Sequence, residues 1–161
     1  MTSANDPQAS RPTFPSGYQV PTHSEGLLPW SYARERLEQA QNYWVCTASL
    51  DGRPHGAPVW GAWVDSRLYF EGSPETRWGR NIVANPRVSV HLESGSEVVI
   101  VEGSVEDVDD VGAQLAERVG DAFAAKYNGY RSQGRGFFIL VPRRAFGWTS
   151  FPADTTRWRF G

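Results

Sequence analysis

The sequence predicts an antiparallel α+β protein, a small β-barrel with flanking helices. Three observations predict it. Short strand-like runs recur at close intervals, separated by turn signals at Asp51-Gly52, Asp65-Ser66 and Ser94-Gly95-Ser96. Two longer stretches carry helical stripes, one of Trp30, Ala33, Leu37 and Ala40, the other of Val111, Leu115, Val119, Ala122 and Phe123. Seven Trp, six Tyr and eight Phe bring the aromatic content to 13%, which supplies large side chains for a barrel core, an interface or a pocket for a flat ring system.

Residues 1–26 hold Pro7, Pro12, Pro15 and Pro21 among Ser, Thr, Asn and Gln, the composition of a disordered or draped N-terminal arm. Phe14 and Tyr18 are its apolar points of docking. Residues 27–161 then form the folded domain. A helix runs from Trp30 to Gln41, entered from Pro29 and capped by Ser31. Tyr43 to Leu50 is a strand, and Asp51-Gly52 turns the chain into a long one, His55 to Val64. Pro58 has no N–H to donate to a ladder, so this strand kinks or lies open there. After Asp65-Ser66 comes a short strand, Leu68 to Phe70. The loop Gly72 to Glu75 leads into a helix that stops before Pro86.

Arg87 to Glu93 alternates, with Val88, Val90 and Leu92 on one face, and reads as a half-exposed strand. Glu97 to Val105 follows, and Gly103 marks a bulge or a close approach. The second helix spans Asp109 to Tyr127, acidic at its start and ended by Asn128-Gly129. Tyr130 to Gly136 is a polar loop carrying Arg131 and Arg135, either a connection or a cover for an anionic ligand. Phe137 to Val141 is a core strand ended by Pro142. Ala145 to Thr149 resumes it, and Thr155 to Phe160 alternates polar and aromatic as a last short strand.

Composition excludes several classes of function. Among 161 residues the charged fraction is 21% and the net charge −2, without the basic stripe of a nucleic-acid binder. No apolar run is long enough to span a membrane, and the N-terminus has no apolar signal-peptide core. The single Cys46 rules out an internal disulfide framework, fits a reducing cytoplasm, and reads as a packed strand residue. His23, His55 and His91 lie far apart without ligand spacing, so no metal site is expected. No nucleophile elbow is present. The expected partner is a small molecule.

The stretch that carries chemistry is the loop and helix from Gly72 onward. Free N–H groups and the positive dipole end of a helix suit an anion, and Thr76, Arg77 and Arg80 add a hydroxyl and two guanidinium groups at the same place. This is a strand–loop–helix phosphate cradle. The runs GRPHGAPVWGAWVDSRLYF and TRWGRNIVANPRVSVHLESGSEVVIVEGSVEDV resemble the pyridoxamine 5′-phosphate oxidase-like proteins, and most closely their flavin and deazaflavin (coenzyme F-420)-dependent oxidoreductase branch. The resemblance covers roughly Leu28 to Phe160.

The family's cofactor-phosphate motif resembles Ser/Thr-x-Lys-x-Arg-Asn-Leu, and the matching run here is Thr76-Arg77-Trp78-Gly79-Arg80-Asn81-Ile82. Trp78 stands in place of the lysine. Either Arg77 and Arg80 take over its charge, with Trp78 stacking on a ring or packing against the barrel, or the site holds another ligand or none. The resemblance implies an FMN-binding type of split β-barrel. It implies a cytoplasmic oxidoreductase that uses F-420, or else FMN, to pass hydride to a small conjugated acceptor. It also implies a homodimer with cofactors in grooves between subunits. Thr76, Arg77, Trp78, Arg80 and Asn81 would hold the phosphate, while Pro58, Val59, Trp60 and Gly61 would line the ring; His55 either faces that pocket or is a surface or hydrogen-bonded strand histidine. The resemblance also implies that Arg157 and Trp158 belong to an ending that packs on the body and approaches the cofactor site. A second expectation is a non-catalytic split barrel that holds flavin, haem or a hydrophobic ligand.

Overall fold

The computed structural model describes residues 6–132 and 135–161, without the side chains of Asp107 and Arg135. Residues 1–5 of the expected arm, residues 133–134 of the Tyr130–Gly136 loop, and the Arg135 side chain expected in that loop therefore lie outside the described residues. The strands are β1 (Gln8–Ser10), β2 (Tyr43–Ala48), β3 (Pro54–Val59), β4 (Gly61–Val64), β5 (Arg67–Glu71), β6 (Arg87–His91), β7 (Val98–Asp110), β8 (Arg135–Trp148) and β9 (Thr156–Arg159). The helices are α1 (Trp30–Gln39), α2 (Arg77–Ala84) and α3 (Ala113–Lys126), with a 3₁₀ turn at Ser16–Tyr18.

All strands are antiparallel and belong to one nine-stranded sheet, in the order β1-β9-β8-β7-β6-β2-β3, with β5 on β8 and β4 on β5. Only Trp60 separates β3 from β4, so the two act as one bent strand that pairs β2 at one end and β5 at the other. That bend closes the ring β3/β4, β2, β6, β7, β8, β5 and leaves no long open edge in the barrel wall. The barrel is split along β8. One edge of β8 pairs β7 along its length. On the other, Phe137–Leu140 pair β5 while Arg144–Gly147 pair β9.

The expected stop at Pro142 is not found: β8 runs through it. Pro142 falls between the stretches paired to β5 and to β9, where a missing N–H is tolerated. Opposite it the register shifts at Glu102/Gly103, the bulge expected at Gly103. Gly103 is obligatory there, because a Cβ would come 2.2 Å from the Val141 carbonyl oxygen. β7 also outruns its expected end and reaches Asp110, since β8 offers it a partner that far. The helix expected from Asp109, α3, accordingly starts at Ala113. The Asp65-Ser66 hairpin is a two-residue turn with both φ positive, 50° and 59°, which gives the strands their matching twist.

Inside the barrel lie Val45, Val90, Val101, Leu68, Phe70, Phe138, Leu140 and Trp158. The alternate residues Tyr69, Phe137 and Ile139 face outward but are covered by Val119, Phe123 and Tyr127 of α3 and its end. Burial on both faces explains why Phe137 to Val141 is an unbroken apolar run. α1 begins after Pro29 without a side-chain cap from Ser31, and Trp30 seats it against Trp158 at 5.5 Å. Along residues 6–26, β1 pairs β9, Arg11 donates to the carbonyls of His23, Glu25 and Thr155, and Phe14 meets Phe151 at 5.7 Å.

Lys126 ties α3 to α1. Its Nζ donates to the Ala40 carbonyl at 3.0 Å and to the Tyr43 hydroxyl at 2.8 Å. Burial lowers its pKa from 10.5 to about 8. The unfolded chain therefore holds this proton to higher pH than the folded one. The Lys126 contribution to stability is least where both states are charged, below pH 8, and rises as the folded state releases its proton. Burial raises the pKa values of Tyr43 and Tyr127, which oppose this gain only above pH 10.0, the ordinary tyrosine value. Urea midpoints of the wild type are expected to rise between pH values of about 8 and 9.5. Lys126→Met should lack that rise, and an identical slope in the variant would assign the effect to other groups.

Candidate functional site

The short helix α2 is fixed at both ends by its own residues. Thr76 is its N-cap: Oγ1 accepts from the Gly79 N–H at 3.0 Å and donates to the Ser73 carbonyl at 2.8 Å. Gly79 has to be glycine, since a Cβ would lie 2.6 Å from the Ser73 oxygen. Asn81 is buried, and its Nδ2 donates to Thr47 Oγ1 at 2.9 Å. Thr47 in turn donates weakly to the His55 carbonyl at 3.4 Å. This relay fastens α2 to β2 and β3. His55 lies directly opposite Thr47, so its side chain shares the face on which Asn81 packs.

The structure thus brings His55 and the α2 residues together, but it divides their roles. The Trp78 indole is 9% exposed and packs between Phe70 at 5.7 Å and Phe138 at 5.1 Å. A Cβ on Gly72 would stand 2.4 Å from its ring, so the glycine makes the room the indole fills. The Thr76 hydroxyl and the Asn81 amide are spent on structure. What α2 leaves open is its outer face. Arg77 is exposed and makes no ion pair or hydrogen bond among the described residues. Arg80 is exposed and uses one nitrogen on the Glu75 carbonyl. The Gly79 N–H is taken by the cap, and the first-turn N–H groups of Arg77 and Trp78 have no intrahelical partner. Beside them opens a cleft of about 580 Å³ lined by Pro74, Glu75, Arg80 and Val83.

The strand expected along a ring breaks at Trp60. Val59 points into the core and Pro58 is exposed. Gly61 sits in the corner, where a Cβ would meet the Tyr69 oxygen at 2.9 Å. Its backbone groups find a side-chain partner: its N–H donates to the Tyr127 hydroxyl at 2.9 Å. The single Tyr127 proton is shared between the carbonyls of Gly61 at 3.0 Å and Gln41 at 2.9 Å. Trp60 turns outward, 53% exposed, and stacks on the Tyr127 ring at 4.4 Å, with the planes 6° apart. Next to it lies a second cleft, of about 330 Å³, lined by Trp60, Glu71, Gly72, Phe123 and Tyr130.

No described contact links Arg157 or Trp158 to the α2 group. Arg157 donates to Ser10 Oγ, and Trp158 is fully buried against Trp30. Among the described residues no group of His, Cys, Asp or Glu is placed to hold a metal ion, and no helix is long and apolar enough to cross a membrane. Cys46 is a free, half-buried thiol on β2 whose pKa burial raises. Sequence reasoning missed Glu71, Val83, Tyr127 and Tyr130. Val83, apolar yet 66% exposed, was readable as the wrong residue for the solvent face of α2. The other three meet only through the fold.

The family profile described as pyridoxamine 5′-phosphate oxidase matches residues 31–149. A search of curated proteins finds no match. Among solved structures the chain is similar to a conserved hypothetical protein from Mycobacterium tuberculosis, at 22% identity and a TM-score of 0.62, covering 76% of this chain and 86% of that one. It is similar to an F-420 reductase at 22% identity and TM-score 0.55, covering 70% and 94%. A haem-binding protein from Mycobacterium smegmatis aligns at 18% identity and TM-score 0.61, over 80% of this chain and 58% of that one.

Tyr127→Phe tests the corner. It keeps the ring under Trp60 but strands the buried Gly61 N–H, and is expected to cost about 1–3 kcal/mol of stability at unchanged m-value. A denaturation midpoint equal to the wild type would show that the hydroxyl does not hold the bend.

Proposed function

The chain belongs to the pyridoxamine 5′-phosphate oxidase family, and from that premise we propose that it is a cytoplasmic oxidoreductase that binds coenzyme F-420, or else FMN, and passes hydride to a small conjugated organic acceptor. The observation that carries this reading is the pair of exposed guanidinium groups, Arg77 and Arg80, at the N-terminus of α2 beside an open cleft. They fit a phosphate. Among the described residues, two first-turn N–H groups without a partner, a positive helix end and two fork-shaped cations belong to the helix on which the family lysine is missing. The F-420 reductase among the structural neighbours supports the deazaflavin as first choice.

When bound, the cofactor supplies the hydride chemistry. The chain's own residues bind and orient. Arg77 and Arg80 would neutralise the phosphate, and the Asn81–Thr47–His55 relay keeps that cradle in fixed relation to β3. Pro58 and Trp60 present an open edge and a flat surface at the strand break. The burial of Trp78 favours one alternative, a non-catalytic barrel that holds flavin, haem or a hydrophobic ligand, and one structural neighbour is a haem-binding protein. Reoxidation of the reduced flavin or deazaflavin by a conjugated acceptor, followed by its absorption band, supports the first reading, and a Soret band in the purified protein the second.

Arg77→Ala and Arg80→Ala are each expected to weaken F-420 or FMN binding about tenfold, the loss of a charge-assisted hydrogen bond. Fluorescence titration measures it. If both variants bind like the wild type, the arginines do not carry the phosphate.

We also infer a homodimer through the outer face of the sheet. Paired residues across neighbouring strands form one row on that face: Pro58, Trp44, His91, Ile100, Phe146 and Arg157. Trp44 and His91 lie parallel at 6.2 Å, and all six side chains are at least partly exposed. None of the three helices is placed on this apolar row by the contacts described, and a second copy would cover it. Ile100→Glu should convert a dimer to a monomer in light scattering at micromolar concentration. A wild-type monomer would overturn the inference.

A further inference from the structure

The cleft beside Trp60 borders the phosphate cradle at Gly72 but shares none of its arginines, and it has its own chemistry. We propose that it binds an organic cation, an alkylammonium or cationic heteroaromatic group, between the Trp60 and Tyr130 rings and the Glu71 carboxylate.

Glu71 ends β5 half-buried. Its two oxygens are held apart and aimed: Tyr130 donates to Oε2 at 3.0 Å, and Ser132 Oγ donates to Oε1. Both donors are neutral hydroxyls. They fix the carboxylate without cancelling its charge, and they raise no competing cation. Among the described residues, Arg131, next to Ser132, is committed to Asp121, and Arg118 to Asp65. Among the described residues no Lys, Arg or His pairs with Glu71.

The walls suit the same class of ligand. Trp60 rests one face on Tyr127 and is 53% exposed, so part of its ring remains open to a ligand. Tyr130 stands at 65° to Trp60, with centroids 6.1 Å apart, and Phe123 forms a buried floor. Aromatic faces attract a cation, most strongly when it is partly desolvated. The volume, about 330 Å³, is at the small end of ligand pockets. Among the described residues, an anion would meet an uncancelled carboxylate and no cationic partner. A neutral apolar ligand would desolvate that carboxylate without compensation.

The test is calorimetric titration of the full chain, without added cofactor, using choline and its uncharged isostere 3,3-dimethyl-1-butanol. Choline is expected to bind at least about tenfold more tightly than the alcohol. Glu71→Gln should reduce choline affinity about tenfold, and Trp60→Ala, at an exposed position, should do the same. On choline addition the Trp60 indole signal in the NMR spectrum should shift. Equal binding of choline and the alcohol, or no binding of choline, overturns the proposal. So does a folded Glu71→Gln variant with unchanged affinity. Because no cofactor is present, failure here leaves the arginine titrations untouched, and their failure leaves this result standing.

Discussion

The Tyr127 hydroxyl is the contact on which the barrel's closure depends. A continuous strand from Pro54 to Val64 could pair β2 or β5, but to pair both it must bend sharply at Trp60. At the bend Gly61 stays opposite Phe70 of β5, yet its buried N–H is met by a side chain. Tyr127, projecting from the end of α3, accepts from that N–H and shares its proton with the Gly61 and Gln41 carbonyls. One side-chain oxygen thus satisfies the backbone groups of the corner that the sheet leaves over. Leaving those groups unpaired would cost a sizeable fraction of the stability of a domain this size. The same residue offers its ring face to Trp60, so closing the barrel and exposing Trp60 are one event.

The aromatic excess separates into three populations by the face on which each strand position falls. Phe70, Phe138 and Trp158 point inward and fill the barrel. Tyr69, Phe123, Tyr127 and Phe137 lie between the sheet and α3. Trp44 and Phe146 stand on the outer row. Composition alone joined a core, an interface and a pocket into one number. The period-two geometry of the strands separates them, because neighbouring residues such as Phe137 and Phe138 serve opposite faces.

The antiparallel barrel with flanking helices was legible because alternation and turn residues are local signals. The Asp65-Ser66 turn, the Gly103 bulge and the α2 boundaries could all be read that way. The lengths of β7 and β8 could not. Asp109 and Asp110 read as a helix start by their charge, yet they extend β7 because β8 stands beside them. Pro142 reads as a stop, yet its missing donor falls where β8 exchanges β5 for β9. The candidate site shows the same limit. Arg77 and Arg80 could be named from a motif of contiguous residues. Glu71, Tyr130 and Ser132 form a cluster only when β5 and the loop after α3 meet, and no spacing in the chain announces it.

Position 78 shows how packing can move a function to neighbouring residues. In this chain its side chain points into the wall between Phe70 and Phe138, above a glycine that leaves room for an indole. A lysine there would have to carry its ammonium out along the helix to reach water, as long cationic side chains do. Tryptophan instead fills the space and gains burial on the order of a few kcal/mol. Residue 78 then contributes only its backbone N–H to an anion. The side-chain charge has to come from the helix face that points away from the wall. At the N-terminal end of α2 that exposed face carries Arg77 and Arg80, whose forked donors suit a phosphate better than a point charge does. Exchange of lysine for tryptophan is therefore compatible with an anion site because the stabilising and the binding faces of α2 are separate.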